Sequence, residues 1–561
     1  MRIKSTLLSM LAGLAVVGCS SGDDGDLNGG ASGNGSTSYL AVNLASADVT
    51  RAQQGYEDGV GAENKVTNVR FYFFNGVGGA ANVKLTTTGS YVNYYDWTPA
   101  SGDQSDDTNT GDDVESNLAA TIVINTQSGD KVPQMMAAVI NPTGLDNTSK
   151  SLSQLRDLNA DYAVSGLTQE GKFVMFNSVY AANRAEVCAV PITSDNLQKT
   201  AALAKENPVT IYVERNVAKV KTTIGVDFAD NGKLLLKDKE DQEILVDGQQ
   251  VYLQIDGWSL TADTDKGRLV KKINPVWEGT WWNGTHRSFW AINDMSAVNR
   301  YHEYVGSPLT KSLYTNENAQ LVDDVNGTEG QAKTHTKVML KGTLCKADGT
   351  PFTIVRHLGS YFADTPSDTE TANFLNLKKS ILSQLRASGR HYYYATTVEG
   401  KPARVELGEE DLVILPVGQV TTEDSKNNCY VYAQLTEAAK AKTWYTSMNE
   451  DATALENTSQ MDAALANKDI VDRALAWKSG MTYYYYEIKH LKNNSNQDVI
   501  GVVRNHIYDT TVTKIAGLGT PVYNPGLVIY PEKPEPNNHF IAAEIKILSW
   551  RLVPNDYELD W

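Results

Sequence analysis

The sequence predicts a mainly β protein of two or more domains. The chain has 561 residues, more than one hydrophobic core supports. Tyr (28) and Gly (43) are abundant, a composition that favours strands joined by turns. Apolar residues also recur at period two in short runs, as in Leu40, Val42 and Leu44, or in Ile541, Ala543, Ile545 and Ile547. That is the pattern of a strand with one buried face.

Charge and cysteine content narrow the class. The formal net charge is −17. Residues 1–51 hold three basic and four acidic residues, so the chain beyond Arg51 still carries −16. Such a surface repels nucleic acid, and no basic stripe opposes it. The four cysteines, Cys19, Cys188, Cys345 and Cys429, are far apart. With Cys19 assigned to the leader, the other three read as small buried hydrophobes, with one disulfide plus one free thiol as the alternative.

The leader comes first. Met1-Arg2-Ile3-Lys4 is a basic n-region and Leu7–Val17 a short apolar h-region, too short to span a membrane. Gly18 directly before Cys19 resembles a bacterial lipobox, with Val16 where Leu is usual. The resemblance implies residues 1–18 as signal peptide and lipid on the Cys19 sulfur. Acyl chains at about 0.8 kcal/mol per buried CH₂ would hold the precursor on a membrane. Residues 20–37 form a Gly/Ser-rich tether. Asp23, Asp24 and Asp26 resemble the acidic export signal of Bacteroidota surface lipoproteins.

Residues 39–52 follow as a strand that ends in one basic residue. Leu40, Val42 and Leu44 alternate with Ala41 and Asn43, and Arg51-Ala52 offers a site for an Arg-specific protease. A well-patterned strand beside such a site is a strand placed for removal.

Beyond Ala52, strands are expected at 65–75, 120–125, 134–141, 173–176 and 209–214, with short helices at 152–158 and 197–205. A domain boundary is placed at Arg215-Asn216, giving units 52–215 and 216–524. The second unit is expected to contain strands at 217–228, 251–255, 337–344, 352–356, 412–416 and 482–490. It also holds helices at 375–386, with Leu377, Ile381, Leu382 and Leu385 on one face, and at 460–478, with Ser459 as N-cap. Residues 504–522 read as a strand and turn. A spacer with four prolines (525–538) precedes the closing strand, Phe540–Trp550. A polyproline-like spacer is stiff and extended, at roughly 3.1 Å per residue. It is expected to keep that strand from folding back on its own chain.

Chemistry-bearing motifs are sparse. The eight His show no metal spacing, and neither H-E-x-x-H nor C-x-x-C occurs, so no zinc site is expected. Gly76-Val77-Gly78-Gly79 mimics a dinucleotide loop but lacks the third Gly and reads as a hairpin turn. The acidic run Asp103–Glu115 fits no EF-hand frame; it reads as a solvated loop, with weak calcium binding as the alternative. Trp277, Trp281, Trp282 and Trp290, with Tyr301 and Tyr304, are packing residues or a sugar platform. The tyrosine runs 392–394 and 483–486 read as strands with alternate rings buried. No nucleophile–base pair and no cofactor is indicated.

Three segments carry a family resemblance: Val213-Glu214-Arg215-Asn216-Val217-Ala218-Lys219-Val220; Val503-Arg504-Asn505-His506-Ile507-Tyr508 with Leu518-Gly519-Thr520-Pro521; and Leu548-Ser549-Trp550-Arg551 with Tyr557-Glu558-Leu559. The chain resembles Bacteroidota fimbrillins, the type V pilins, and in particular the shaft subunit of minor fimbriae. The resemblance implies two transthyretin-like β-sandwich domains with a few inserted helices. It also implies export as an outer-membrane lipoprotein, cleavage after Arg51, departure of the strand with Leu40, Val42 and Leu44, and polymerisation by strand exchange. The donor would be the closing strand of a neighbour, through Ile541, Ala543, Ile545 and Ile547. Implied partners are copies of the same chain in a head-to-tail filament, anchor and accessory tip subunits, an Arg-specific protease, and host or bacterial surface ligands. Two other readings fit the same chain: an accessory or tip fimbrial adhesin, and a membrane-anchored glycan-binding surface lipoprotein.

Overall fold

The computed structural model describes residues 36–46, 63, 65–81, 83, 90–101, 104–106, 116–126, 132–142, 144–163, 173–182, 185–273, 285–292, 299–300, 302–321, 335–364, 374–417, 430–492, 496–526, 529 and 539–549. Cys19, Arg51, Ala52, Cys429, Trp277, Trp281, Trp282 and Tyr301 lie outside them, as does the acidic run apart from residues 104–106.

The first unit is built on a ten-stranded sheet. Its strands include β1 (Ser36–Ser46), β2 (Val69–Phe74), β3 (Tyr94–Trp97), β4 (Gln104–Asp106), β5 (Ser116–Thr126) and β6 (Met135–Ile140). After helix α1 (Leu152–Asp157) come β7 (Met175–Asn177), the two-residue β8 (Leu197–Gln198), helix α2 (Ala201–Glu206) and β9 (Val209–Arg215). The spatial order is β3-β2-β6-β7-β9-β1-β5-β4, with β8 also on β1. Its two halves enclose one core, in which Phe71 and Phe73 of β2 lie with Leu40 of β1, Ile122 of β5 and Ile211 of β9. The Gly-rich loop after β2 is a tight turn, in which the Asn75 side chain accepts from Gly79 N at 2.8 Å.

The second unit opens with β10 (Ala218–Ile224), β11 (Leu234–Leu235), β12 (Tyr252–Thr261), β13 (Leu313–Thr315) and β14 (Lys337–Cys345). A distinct stretch follows: β15 (Ile354–His357), β16 (Ser360–Ala363), α3 (Leu375–Ala387), β17 (Leu412–Pro416), β18 (Tyr430–Leu435), α4 (Ser459–Ala466) and β19 (Ala474–Trp477). The unit ends with β20 (Met481–Glu487), β21 (His506–Gly517), β22 (Thr520–Pro521) and β23 (His539–Ser549). Two sheets, β13-β10-β21-β23 and β11-β12-β14-β20-β22, face each other across one core. Ala218, Val220, Tyr508 and Val512 meet Leu253, Trp258, Leu340 and Tyr484 there. The fold is mainly β, and this pair of sheets is a β-sandwich. The stretch from β15 to β19 has a core of its own, where Leu377, Ile381, Leu382 and Leu385 of α3 pack on Leu412, Ile414, Val431 and Ala433.

Four local expectations are corrected. The 460–478 helix stops at Ala466, and residues 474–477 are a strand that pairs with β15 and β18; all four are buried, so tertiary pairing overrides helical pattern. Its N-cap position is Thr458. The expected 197–205 helix begins as β8 on β1, and helix α2 starts after Thr200, whose hydroxyl caps Leu203 N. Tyr483, Tyr484, Tyr485 and Tyr486 are all buried, without alternation, because β20 is covered on both faces.

Gly501 adopts φ +95°, and a Cβ there would meet the Asn318 carbonyl. It sits where strand 499–502 pairs with 318–321. Gly501→Ala is expected to cost about 1–3 kcal/mol, read as a lower urea midpoint at unchanged m-value.

Candidate functional site

β1 is an interior strand. Along one edge it pairs antiparallel with β5 over eleven residues, Ser36 opposite Thr126 through Ser46 opposite Ser116. Along the other edge Tyr39 and Leu40 pair antiparallel with β8, and Val42–Ala45 pair parallel with Val209–Tyr212 of β9. Leu40 and Val42 are 0% and 1% exposed. They face Leu118, Ala120, Ile122 and Ile124, the buried alternate residues of β5. Ala41 points the other way and is also buried, as is Ala204 of α2, the helix that packs on β1. Leu44 lies opposite Leu118 and Ile211. The burial of Leu40 and Val42 contributes roughly 1.5–3 kcal/mol each. Without β1, both β5 and β9 would present unpaired edges in the middle of the sheet.

The closing strand lies elsewhere. β23 pairs antiparallel with β21 of the same chain, from His506 opposite Ser549 to Gly517 opposite His539, with a bulge between Val512 and Lys514. Ile541, Ala543, Ile545 and Ile547 lie opposite Ile515, Val512, Thr510 and Tyr508. The expectation that the proline spacer holds this strand away from its own chain fails here. Residues 518–538 are long enough to reverse direction, and β21 offers an open edge that an alternating strand completes. β23 is itself an edge strand of its sheet.

Between these two strands lies a junction of buried charges. β9 passes through Asn216-Val217 directly into β10. Arg504 forms a two-pronged pair with Glu317, at 3.0 Å from Nε and 2.7 Å from Nη2, and its Nη1 donates to the Leu269 carbonyl at 3.0 Å. Lys271 pairs with Glu214 at 2.9 Å, and Lys219 with Glu63 at 2.8 Å. Arg215 N donates to Asn505 Oδ1 at 3.0 Å, and Asn505 N to the Val217 carbonyl at 2.8 Å. The two sequence segments 213–220 and 503–508 therefore meet in space. Glu63, Glu317 and Lys271 were not singled out by sequence reasoning. The available signal was Glu214, a charge beside the apolar alternation of β9.

β21 is held from beneath by a histidine–tyrosine relay. His490 Nε2 donates to the Phe289 carbonyl at 3.0 Å, and the Tyr508 hydroxyl donates to His490 Nδ1 at 2.8 Å. The Tyr508 oxygen in turn accepts from Val503 N at 2.8 Å. Burial, aided by the Lys271 charge, brings the His490 imidazole down to about 4. Trp290 and Tyr304, the described members of the aromatic segment, are buried; Trp290 Nε1 donates to the Leu491 carbonyl at 3.2 Å. Cys188 and Cys345 are buried and free. Among the described residues, no group of three or more His, Cys, Asp or Glu is placed to hold a metal.

Residues 476–556, which include β20 to β23, match the family model of the major fimbrial subunit protein type IV, fimbrillin, C-terminal. This segment is similar to the C-terminal part of fimbrillins. The match supports a fimbrial subunit. No curated protein matches the chain. Among solved structures, the chain is similar to the fimbrilin FimA of Porphyromonas gingivalis W83, at 10% identity over 92% of this chain and 98% of that one, with a TM-score of 0.37. It is similar to the tip fimbrial protein Mfa3 of Porphyromonas gingivalis, at 12% identity over 92% and 100%, TM-score 0.32. A fimbrial assembly protein of Parabacteroides distasonis matches at 12% identity over 67% and 98%, TM-score 0.27. At these scores they are similarities and nothing more. The matched segment contains β21 and β23, so the closing strand and its partner lie in the matched part of the chain.

The His490 relay gives a pH dependence with a definite sign. The unfolded imidazole titrates near 6.5. Between pH 6.5 and 4 the unfolded state therefore takes up a proton that the folded state refuses. This contribution to stability is complete above pH 6.5 and is lost as the pH falls toward 4. The urea midpoint is expected to drop across that window. His490→Gln should remove about 3 kcal/mol of the pH-dependent part, read as the difference between the two titrations.

Proposed function

We propose that the protein is the structural shaft subunit of a surface fimbrium. It reaches the surface as a precursor lipidated at Cys19 and anchored in the outer membrane, and an Arg-specific protease cuts after Arg51. β1 then leaves, and the closing strand of a neighbouring subunit enters the slot between β9 and β5. The filament grows head to tail, because an asymmetric contact of this kind does not close on itself. Anchor and accessory tip subunits are the remaining partners.

The observation that carries the reading is that β1, an interior strand of its sheet, is joined to the rest of the chain through Arg51. An internal likeness between the two units supports it. β1 lies parallel to β9 and antiparallel to β5. In the second unit β10 lies parallel to β21 and antiparallel to β13. Within the chain, β9 runs straight into β10, so the last strand of one unit is followed by a strand that fills the corresponding place in the next. A donor strand repeats this step between subunits, with the polarity of β1. In this reading β23 on β21 is a storage position, and β21 loses an edge partner when the donor departs.

Arg51→Ala is expected to abolish the ladder of polymers on unboiled SDS gels, while a chain lacking 540–561 folds but does not extend. N-terminal sequencing of the surface form should begin at Ala52. Unchanged ladders from Arg51→Ala, or a mature N-terminus at Cys19, would sink the proposal.

A further inference from the structure

Glu63 touches Arg215, the last residue of β9. β1 runs parallel to β9, and Ala45 stands opposite Tyr212, so its direction leads toward Arg215, where β9 ends. Glu63 is met there. Its carbonyl accepts from Arg215 Nε at 3.3 Å. Its carboxylate, on a residue 1% exposed, pairs with Lys219 Nζ of β10 at 2.8 Å and accepts from the Tyr314 hydroxyl of β13. Burial and the adjoining Glu63 charge push the Tyr314 phenol far up, so it stays a proton donor. The Tyr314 ring also packs edge-on against Phe173 of the first core, at 5.1 Å between centroids. Glu63, twelve residues downstream of Arg51, therefore grips β9 and β10, between which the first unit passes into the second, and β13 beside them.

We infer that Glu63 is a stop: it confines the opening left by β1 to the first unit and keeps β10 and β13 closed when β1 is out. The inference stands on the contacts of Glu63 and the position of β1, and holds whether or not Arg51 is cut. A buried carboxylate suits the task, because withdrawing it breaks the ion pair to Lys219 and the hydrogen bond from Tyr314 together.

The test is amide hydrogen exchange on the full chain. Leu40→Asp places a carboxylate in the core and expels β1 without proteolysis. With Glu63 present, β5 and β9 should lose protection while β10 and β13 stay within about twofold. In the Glu63→Gln/Lys219→Met background, which removes both members of the ion pair together, Leu40→Asp should speed exchange of β10 and β13 by about tenfold or more. Equal spreading in both backgrounds, or none in either, would overturn the inference. Native-state exchange in low urea repeats the comparison with Leu40 intact. β1 and β10 should open in separate steps with Glu63 and in one step without it; a single step in both chains, or separate steps in both, would count against the stop.

Discussion

An interior strand has hydrogen-bonding obligations on both edges, and the first unit depends on β1 to meet them. β5 on one side, and β8 with β9 on the other, direct their amides and carbonyls at one eleven-residue segment. The core beneath depends on the same segment, since Leu40 and Val42 close the gap between the β5 side chains and Ile211. Such a sheet has only two economical states: β1 in place, or an equivalent strand in its place. An empty slot would expose apolar side chains and two open edges together.

Much of this was legible in the sequence, and the reasons differ by element. Period-two alternation exposed β1 and β23 because each has one apolar face. Helix α3 was legible from Leu377, Ile381, Leu382 and Leu385, but its start was not. Phe374 stands at the N-cap with a left-handed backbone and no capping side chain, and Asp364, from before the helix, accepts from Leu377 N at 3.0 Å instead. A cap supplied from outside the local sequence leaves no local signal. Residues 474–477 read as helix because Ala474, Leu475, Ala476 and Trp477 suit either state, and pairing with β15 and β18 decides between them. The location of β23 was illegible for a related reason: alternation shows that a strand needs an edge, and the fold determines which edge is nearest.

The junction explains why charge appears in otherwise apolar strands. Three ion pairs, Lys219–Glu63, Lys271–Glu214 and Arg504–Glu317, lie within a protein interior that gives little net reward for them. What they supply is geometry. Each pair joins residues far apart in sequence, and a packing that misplaces one partner leaves a buried charge alone. Apolar contacts tolerate sliding; a forked guanidinium on a carboxylate does not. The passage from β9 to β10 is therefore fixed in angle as well as in connectivity.

The eleven-residue ladder between β1 and β5 also has a mechanical side. Force along the strand axis loads every rung at once, in shear, so separation requires the whole ladder to fail together. Force across the axis loads the rungs one at a time, as in a zipper, and needs far less. A strand seated in this slot thus resists lengthwise pulling while remaining removable by peeling from one end. In the proposed filament the same residues would serve as a strong joint under tension and as a seam that opens from its tip.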